Sequence, residues 1–254
     1  MAVPVPDRRL AAMDHAGPGP RAHRPPGAPG ADGGAAAVNA DRAHDDGAPD
    51  PAAHHGDGAE DWDRRYAGGD LRWSGRPNPT LVAELDGAVA GNALDVGCGE
   101  GADAIWLARR GWKVTGLDIS QVALDRARLA AGEAGVEIEW RRADVADAPP
   151  EPGAYDLVSA HYPALRRTPD GGAVRALIDA VAPGGTLLVV GHALDGGDDH
   201  RGHGFDPADY VQPDDVARHL DDAWTIEVHE TRPRTRPAGS GPDVPDVVLR
   251  ARRA

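Results

Sequence analysis

The sequence is short of several residue types, and each shortage excludes a class of protein. Among its 254 residues there is one cysteine, Cys98, which excludes an internal disulfide and a cysteine-rich zinc site. Lys113 is the single lysine, so almost all of the positive charge comes from arginine. Only 4% of the residues are aromatic, and no apolar run approaches the roughly 20 residues that a membrane-spanning helix requires. We therefore expect no membrane partner.

Positive charge is also in short supply. The formal net charge is −14 and the isoelectric point is near 5.1, which argues against a nucleic-acid polyanion as the main partner. No apolar run follows the basic pair Arg8-Arg9, as it would in a secretory signal. These absences predict a cytoplasmic protein that binds neither nucleic acid nor a membrane.

The first 58 residues contain hardly any large apolar side chains and are rich in Ala, Gly, Pro, Asp and His. Such a segment cannot bury enough apolar surface to offset its ordering entropy. We predict a disordered tail over residues 1–58 and a folded domain over residues 59–254. Five of the eleven histidines lie in the tail, at His15, His23, His44, His54 and His55. Metal capture by the tail is an alternative, although the spacing fits no defined site.

The most informative stretch runs from Ala93 to Gly111. It predicts a short buried strand, then a turn containing Gly97, Gly99 and Gly101, then a helix closed near Gly111. Glycines at such a turn let the backbone bend sharply and approach a ligand. We expect a ligand at this turn to meet backbone N–H groups and the positive end of the helix.

Asp95, two residues before the first glycine, distinguishes two kinds of ligand. The pattern Gly97-x-Gly99-x-x-Ala102 also matches a relaxed dinucleotide fingerprint. A carboxylate at the strand end would repel a pyrophosphate but suits a ligand that carries an ammonium group. S-adenosylmethionine has such a group and no phosphate, so Asp95, Gly97, Cys98 and Gly99 are assigned to that cofactor. A purely structural turn is the alternative.

Carboxylates also follow the next two predicted strands. Asp118 ends the second strand, 21 residues after Gly97, where it could accept hydrogen bonds from both ribose hydroxyls or merely cap the next helix. Ile119 is assigned to the same pocket. Asp144 could take the adenine amino group, and Val145 could offer its backbone N–H to the ring. A third strand is predicted over residues 136–140 from its alternating apolar side chains.

The fourth predicted strand ends at Ala160, which is placed beside the cofactor. His161 and Tyr162 follow it, and ligands in open α/β sheets bind at the carboxyl ends of the strands. They are therefore the candidate catalytic residues, with His161 or His192 as a possible base. A metal site is the less favoured alternative, and it would combine His192, His200 and His203 with Asp198, Asp199 or Asp206.

Two further segments complete the predicted domain. Residues 59–90 are predicted to form a helical lid, with Trp73 or Arg76 facing the cofactor. A fifth strand is predicted over residues 186–190. Residues 224–231 and 244–249 then predict two consecutive strands with no helix between them, which favours an antiparallel pair at the sheet edge.

With these motifs in order, the chain resembles the class I S-adenosylmethionine-dependent methyltransferases over roughly residues 60–254. The resemblance implies an α/β, Rossmann-like fold: a seven-stranded, mostly parallel sheet with a reversed terminal strand and helices on both faces. It also implies methyl transfer to a small-molecule acceptor. The segment Trp73-Ser-Gly-Arg-Pro-Asn78 is similar to the branch that includes tellurite-resistance and thiopurine methyltransferases. A nicotinamide-dependent oxidoreductase and a non-catalytic S-adenosylmethionine-binding module are the alternatives.

Overall fold

A computed structural model describes residues 58–68, 74–193, 209–233 and 245–254. The tail predicted over residues 1–58 lies outside these ranges except for Gly58, which precedes the first helix. Within the described ranges, no helix combines the length and the apolar composition needed to span a bilayer.

Seven strands form one sheet in the order β3-β2-β1-β4-β5-β7-β6. The strands are β1 Asn92–Val96, β2 Lys113–Asp118, β3 Glu139–Arg142, β4 Tyr155–His161, β5 Val181–His192, β6 Trp224–Arg232 and β7 Asp246–Arg253. The helices are α1 Ala59–Tyr66, α2 Pro79–Glu84, α3 Ala102–Ala108, α4 Gln121–Ala134, α5 Gly172–Ala180 and α6 Pro213–Ala217. β7 runs opposite to the other six strands, and it pairs antiparallel with β5 and β6. The predicted seven-stranded sheet, its reversed terminal strand and the antiparallel pair at its edge are confirmed.

The apolar core lies on both faces of the sheet, because successive strand residues point to opposite sides. In β5, Leu187 and Val189 belong to one buried cluster, whereas Leu188 and Val190 belong to another. Helices α5 and α6 contribute to the first cluster, and α2 and α3 contribute to the second. The central strands are therefore covered on both sides, and their open carboxyl ends are left for a ligand.

The third strand lies later in the chain than predicted, since β3 begins at Glu139 rather than at residue 136. Helix α4 ends at Ala134 and is capped by Gly135, whose φ is 67°. The Val136 N–H then donates to the Ala131 carbonyl at 3.1 Å. Val136 is thus part of the C-terminal cap of the helix. The predicted alternation itself was correct, because Ile138 packs against the second cluster.

The fifth strand is longer than predicted. It begins at Val181, which pairs with Tyr155 of β4, and it continues to His192 because β7 pairs along it until His192 meets Asp246. This extension carries His192 to the carboxyl end of the sheet, beside the end of β4. The reversed strand therefore determines which side chains stand at that edge.

Replacement of Ser120 by alanine is expected to lower the free energy of unfolding by about 1–2 kcal/mol. The Ser120 oxygen accepts the Ala123 N–H at 3.1 Å at the start of α4, and its hydroxyl donates to Asp63 in α1 at 2.6 Å. Urea unfolding should show the loss. Ser74→Ala, at an exposed position, is the control and should change stability by less than about 0.5 kcal/mol. Equal unfolding midpoints for Ser120→Ala and the parent would contradict the capping role.

Candidate active site

The turn after β1 has the backbone that its glycines predict. Gly97, Gly99 and Gly101 have φ values of 69°, 52° and 83°, in the left-handed region that favours glycine. A Cβ at Gly101 would lie 2.8 Å from the ring of Trp140. The third glycine is therefore required both by conformation and by close packing.

Three N–H groups of this turn are used inside the protein, so the expectation that a ligand would meet the N–H groups of the turn is wrong for these three. Gly97 and Cys98 both donate to the Leu117 carbonyl, at 2.8 and 3.1 Å. Gly99 donates to Oδ2 of Asp118 at 2.8 Å. A phosphate-binding loop needs such N–H groups free to point at the anion. The geometry therefore does not favour a pyrophosphate at this turn.

Asp95 is a buried carboxylate that lacks a full set of partners. It is 2% exposed, and its Oδ2 has no hydrogen-bond partner among the described residues. Burial raises the pKa of Asp95 well above its ordinary range, and the nearby carboxylates of Asp103 and Asp118 raise it further. A hydrogen bond from the Ala104 N–H opposes this rise. A cationic ligand group would satisfy both the open oxygen and the accumulated negative charge.

Asp118 lies at the end of β2 with its carboxylate turned toward the glycine turn. Besides the bond from Gly99, its Oδ1 accepts the Ser120 N–H at 2.8 Å. Burial raises the pKa of Asp118, and these N–H bonds oppose the rise. The helix that follows is capped by Ser120 and not by Asp118. Each carboxylate oxygen retains acceptor capacity, because an ionised carboxylate offers about four acceptor positions.

Asp144 follows β3, so carboxylates stand at the ends of three adjacent strands. It is exposed, and its Oδ1 accepts the Ala146 N–H at 2.9 Å. Val145, directly after it, is fully buried. The three predicted cofactor residues Asp95, Asp118 and Asp144 thus lie along the same edge of the sheet, because β1, β2 and β3 are neighbours.

The remaining predicted cofactor residues fall in different environments. Ile119 is partly buried, and its carbonyl accepts the Arg142 side chain at 3.2 Å. Ala160 is fully buried in β4. Trp73 lies outside the described residues, whereas Arg76 is described in the loop before α2.

Cys98 has no reactive character in this environment. Burial raises the pKa of its thiol well above the ordinary range, and the carboxylates of Asp95 and Asp118 add to the effect. The thiol therefore stays protonated, which makes it a poor nucleophile. Within the described ranges, no three His, Cys, Asp or Glu side chains are grouped so as to hold a metal ion. His200 and His203 of the metal alternative lie outside those ranges.

His161 ends β4 and is buried with a neutral ring. Its side chain is 2% exposed, with Nδ1 at 3.1 Å from the Ser159 hydroxyl and 3.7 Å from Oδ2 of Asp103. Burial lowers the pKa of His161, although Asp103 and Asp246 oppose the shift. Nε2 has no hydrogen-bond partner among the described residues.

Asn78 is a site residue that sequence reasoning missed. Its backbone N–H and its side-chain amide donate to the two oxygens of Asp103, each at 2.7 Å. These bonds connect the start of α2 to the first turn of α3 and hold Asp103 opposite His161. The two residues are 25 positions apart, so no local pattern could have indicated the pair.

Tyr162, His192 and Asp246 form a second group at the same edge. The Tyr162 hydroxyl donates to Oδ2 of Asp246 at 2.8 Å, and its ring stacks on His192 with centroids 4.6 Å apart. Nδ1 of His192 lies 3.8 Å from Oδ1 of Asp246. Tyr162 adopts a φ of 50°, which is uncommon for a residue other than glycine. Asp246 was also missed from sequence, because it lies 84 positions from Tyr162.

Comparison with known proteins matches the central part of this chain to a methyltransferase domain. A family model described as a methyltransferase domain matches residues 93–185. A ubiquinone biosynthesis O-methyltransferase of Sodalis glossinidius is 44% identical over 110 residues, which cover 42% of this chain and 44% of that relative. The chain thus spans less than half the length of that curated relative.

Solved structures agree with this comparison. A structure described as "Conversion of a Disulfide Bond into a Thioacetal Group during Echinomycin Biosynthesis" has a TM-score of 0.62 and 27% identity, and it covers 77% of this chain and 91% of its own. TehB from Haemophilus influenzae has a TM-score of 0.54 and 14% identity, and it covers 77% of this chain and 67% of its own. At this level of identity the likeness to TehB shows the fold alone.

Proposed function

We propose, since the chain belongs to the class I S-adenosylmethionine-dependent methyltransferases, that it transfers a methyl group from this cofactor to a small-molecule acceptor. One observation is the main support for this proposal. The turn after β1 presents a buried, incompletely bonded carboxylate at Asp95, whereas the N–H groups of Gly97, Cys98 and Gly99 are used internally. That combination fits an ammonium ligand and not a pyrophosphate.

The carboxylates at the strand ends fit the successive parts of S-adenosylmethionine. In this proposal Asp95 holds the ammonium of the amino-acid end, and Asp118 accepts from the ribose hydroxyls. Asp144 and the Val145 N–H hold the adenine, as predicted from their spacing. Ile119, Ala160 and Trp73 stay predicted cofactor contacts, and the finer tellurite-resistance or thiopurine branch stays a prediction.

The bound cofactor supplies a methyl group on a positively charged sulfur, which needs no metal and no covalent enzyme intermediate. The contribution of the chain is then alignment of the acceptor and exclusion of water. His161 and Tyr162 stay the predicted catalytic residues at the acceptor side. Their burial differs, because His161 is enclosed while Tyr162 is partly exposed.

Two acceptor types have support from the comparisons. The curated relatives are named as O-methyltransferases, which favours a hydroxyl acceptor. The structural neighbour at 27% identity is described by a change at a disulfide, which favours a sulfur acceptor. A nicotinamide-dependent oxidoreductase and a non-catalytic binding module are the rival functions.

Calorimetry is expected to show binding of S-adenosylmethionine and of S-adenosylhomocysteine, with no measurable binding of NAD. The reason is the Asp95 carboxylate combined with a turn that has no free N–H group for a pyrophosphate at Gly97, Cys98 or Gly99. Tight NAD binding without a response to S-adenosylmethionine would refute the proposed function.

A second measurement separates an enzyme from a binding module. The protein is incubated with labelled S-adenosylmethionine and a small-molecule extract of cells, and S-adenosylhomocysteine is quantified. Formation well above that of a heat-denatured sample is expected of an enzyme. Binding without any such product would favour the non-catalytic module.

A further inference from the structure

We propose that His192 is the general base for the acceptor, that Asp246 is its positioning residue, and that the acceptor therefore carries a hydroxyl group. This inference rests on the proposed function. It assigns the base to the exposed histidine of the site rather than to the buried one.

His192 is the histidine of the pair that an acceptor can reach. Its side chain is 42% exposed, against 2% for His161. Its Nδ1 is buried near Asp246, so the exposed area belongs to the rest of the ring, and the proposal places the acceptor at Nε2. A base must come within hydrogen-bond reach of the proton that it removes, and of these two described histidines the exposed His192 ring is the one that meets that condition.

The sheet itself places Asp246 behind His192. The two residues are direct cross-strand partners in the antiparallel pairing of β5 with β7. Asp246 is 2% exposed, with Oδ1 toward His192 and Oδ2 bonded to the Tyr162 hydroxyl. At 3.8 Å from Nδ1 the Asp246 carboxylate acts on the ring through its charge, which favours a proton on Nδ1 rather than on Nε2 and stabilises the imidazolium once formed.

Tyr162 completes the support on the other side of the ring. Its stacking on His192 restricts the rotation of the imidazole, and its hydroxyl holds the carboxylate in place. Tyr162 maintains its strained φ of 50° because its N–H also donates to the Val190 carbonyl at 2.7 Å. Strain that is held by several contacts is typical of functional sites.

The proposed step moves one proton and one methyl group. The acceptor hydroxyl gives its proton to Nε2 of His192 while its oxygen forms a bond to the methyl carbon. The bond between that carbon and sulfur breaks, and its electron pair stays on sulfur. His192 leaves the step as an imidazolium beside Asp246 and later releases the proton to solvent. A thiolate acceptor has no proton to lose and would need none of these residues, so this group of side chains favours a hydroxyl.

The first test measures the histidine directly. Imidazole resonances of histidine-labelled protein are followed with pH, and His192 is assigned by their loss in His192→Gln. In Asp246→Asn we expect the pKa of His192 to fall, since the carboxylate facing Nδ1 is gone. Among the described residues, Tyr162 and Asp246 are titratable groups packed against His192, and His161 faces Asp246 from β4. An unchanged His192 titration would overturn the pairing.

The second test measures transfer to two kinds of probe, phenols such as 3,4-dihydroxybenzoate and the soft nucleophile thiophenol. His192→Gln should lower transfer to the phenols by about 100-fold or more and leave transfer to thiophenol within about threefold. Asp246→Asn should shift the pH profile for phenols toward lower pH. An equal loss with both probes, or methylation of thiophenol alone by the parent protein, would overturn the inference.

A second histidine–carboxylate pair provides the matched control. His229 lies on β6, which β7 separates from β5, and its Nε2 is 2.7 Å from Oδ1 of Asp214. His229→Gln and Asp214→Asn should leave both transfers unchanged. Failure of the parent protein to bind S-adenosylmethionine in calorimetry would count against the proposed function itself, and the His192 titration would still decide the pairing.

Discussion

Asp95→Asn is expected to raise the melting temperature of the unliganded protein at neutral pH and, at the same time, to weaken S-adenosylmethionine binding about 10- to 150-fold. The variant keeps an oxygen that can accept the Ala104 N–H but cannot ionise. It therefore removes the buried charge that Asp103 and Asp118 disfavour. The binding loss reflects a charged hydrogen bond to the ammonium group of the ligand.

The stabilisation by Asp95→Asn is expected to depend on pH. The pKa of Asp95 is raised in the folded state above its ordinary value of 3.8, so the folded protein retains a proton that the unfolded chain releases. Wild-type stability therefore falls as the pH rises from about 4 toward the folded pKa. The gain from Asp95→Asn should be small near pH 4 and largest at neutral pH. An increase of about 2–4 °C corresponds to about 1 kcal/mol in a domain of this size.

Methylthioadenosine provides the control for the binding effect, since it lacks the amino-acid end of the cofactor. Asp95→Asn should weaken S-adenosylmethionine far more than methylthioadenosine when both are measured by calorimetry. Equal weakening of both ligands, with a native melting curve, would show that the methionine end does not lie at the glycine turn.

Asp118→Ala is expected to weaken S-adenosylmethionine and methylthioadenosine alike, by about 10- to 150-fold. Both ligands carry the ribose whose hydroxyls Asp118 is proposed to bind. The substitution also leaves the Gly99 N–H without its acceptor, so part of the loss reflects a less ordered turn. Calorimetry with both ligands measures the effect.

Ser120→Ala is the matched control for Asp118→Ala. It perturbs the start of α4 two residues away but leaves the Asp118 carboxylate and its bond from Gly99 in place. Its ligand affinities should stay within about threefold of the parent values. A loss with Asp118→Ala that is confined to S-adenosylmethionine would contradict the ribose assignment.

Local patterns were sufficient for most of the fold. The order of strands and helices followed from apolar periodicity, and the two final strands without an intervening helix correctly indicated the antiparallel edge. Boundaries were less accurate, as the start of β3 shows. Gly135 closes α4 so that Val136 caps the helix, and alternation alone could not distinguish a cap residue from a strand residue.

The sequence by itself determined the glycine turn and the carboxylates after β1, β2 and β3, and the family resemblance that these motifs carry implied the class of fold. Each of these depends on residues close together in the chain and on the rule that ligands bind at the carboxyl ends of parallel strands. The tertiary structure alone decided which groups accept the N–H bonds of the turn and which of the two histidines, His161 or His192, is exposed. Gly99 donates to Asp118 only because β1 and β2 are neighbours, and His192 meets Asp246 only because β7 is inserted in reverse beside β5. Such contacts depend on strand order and register, which no local pattern of the chain specifies.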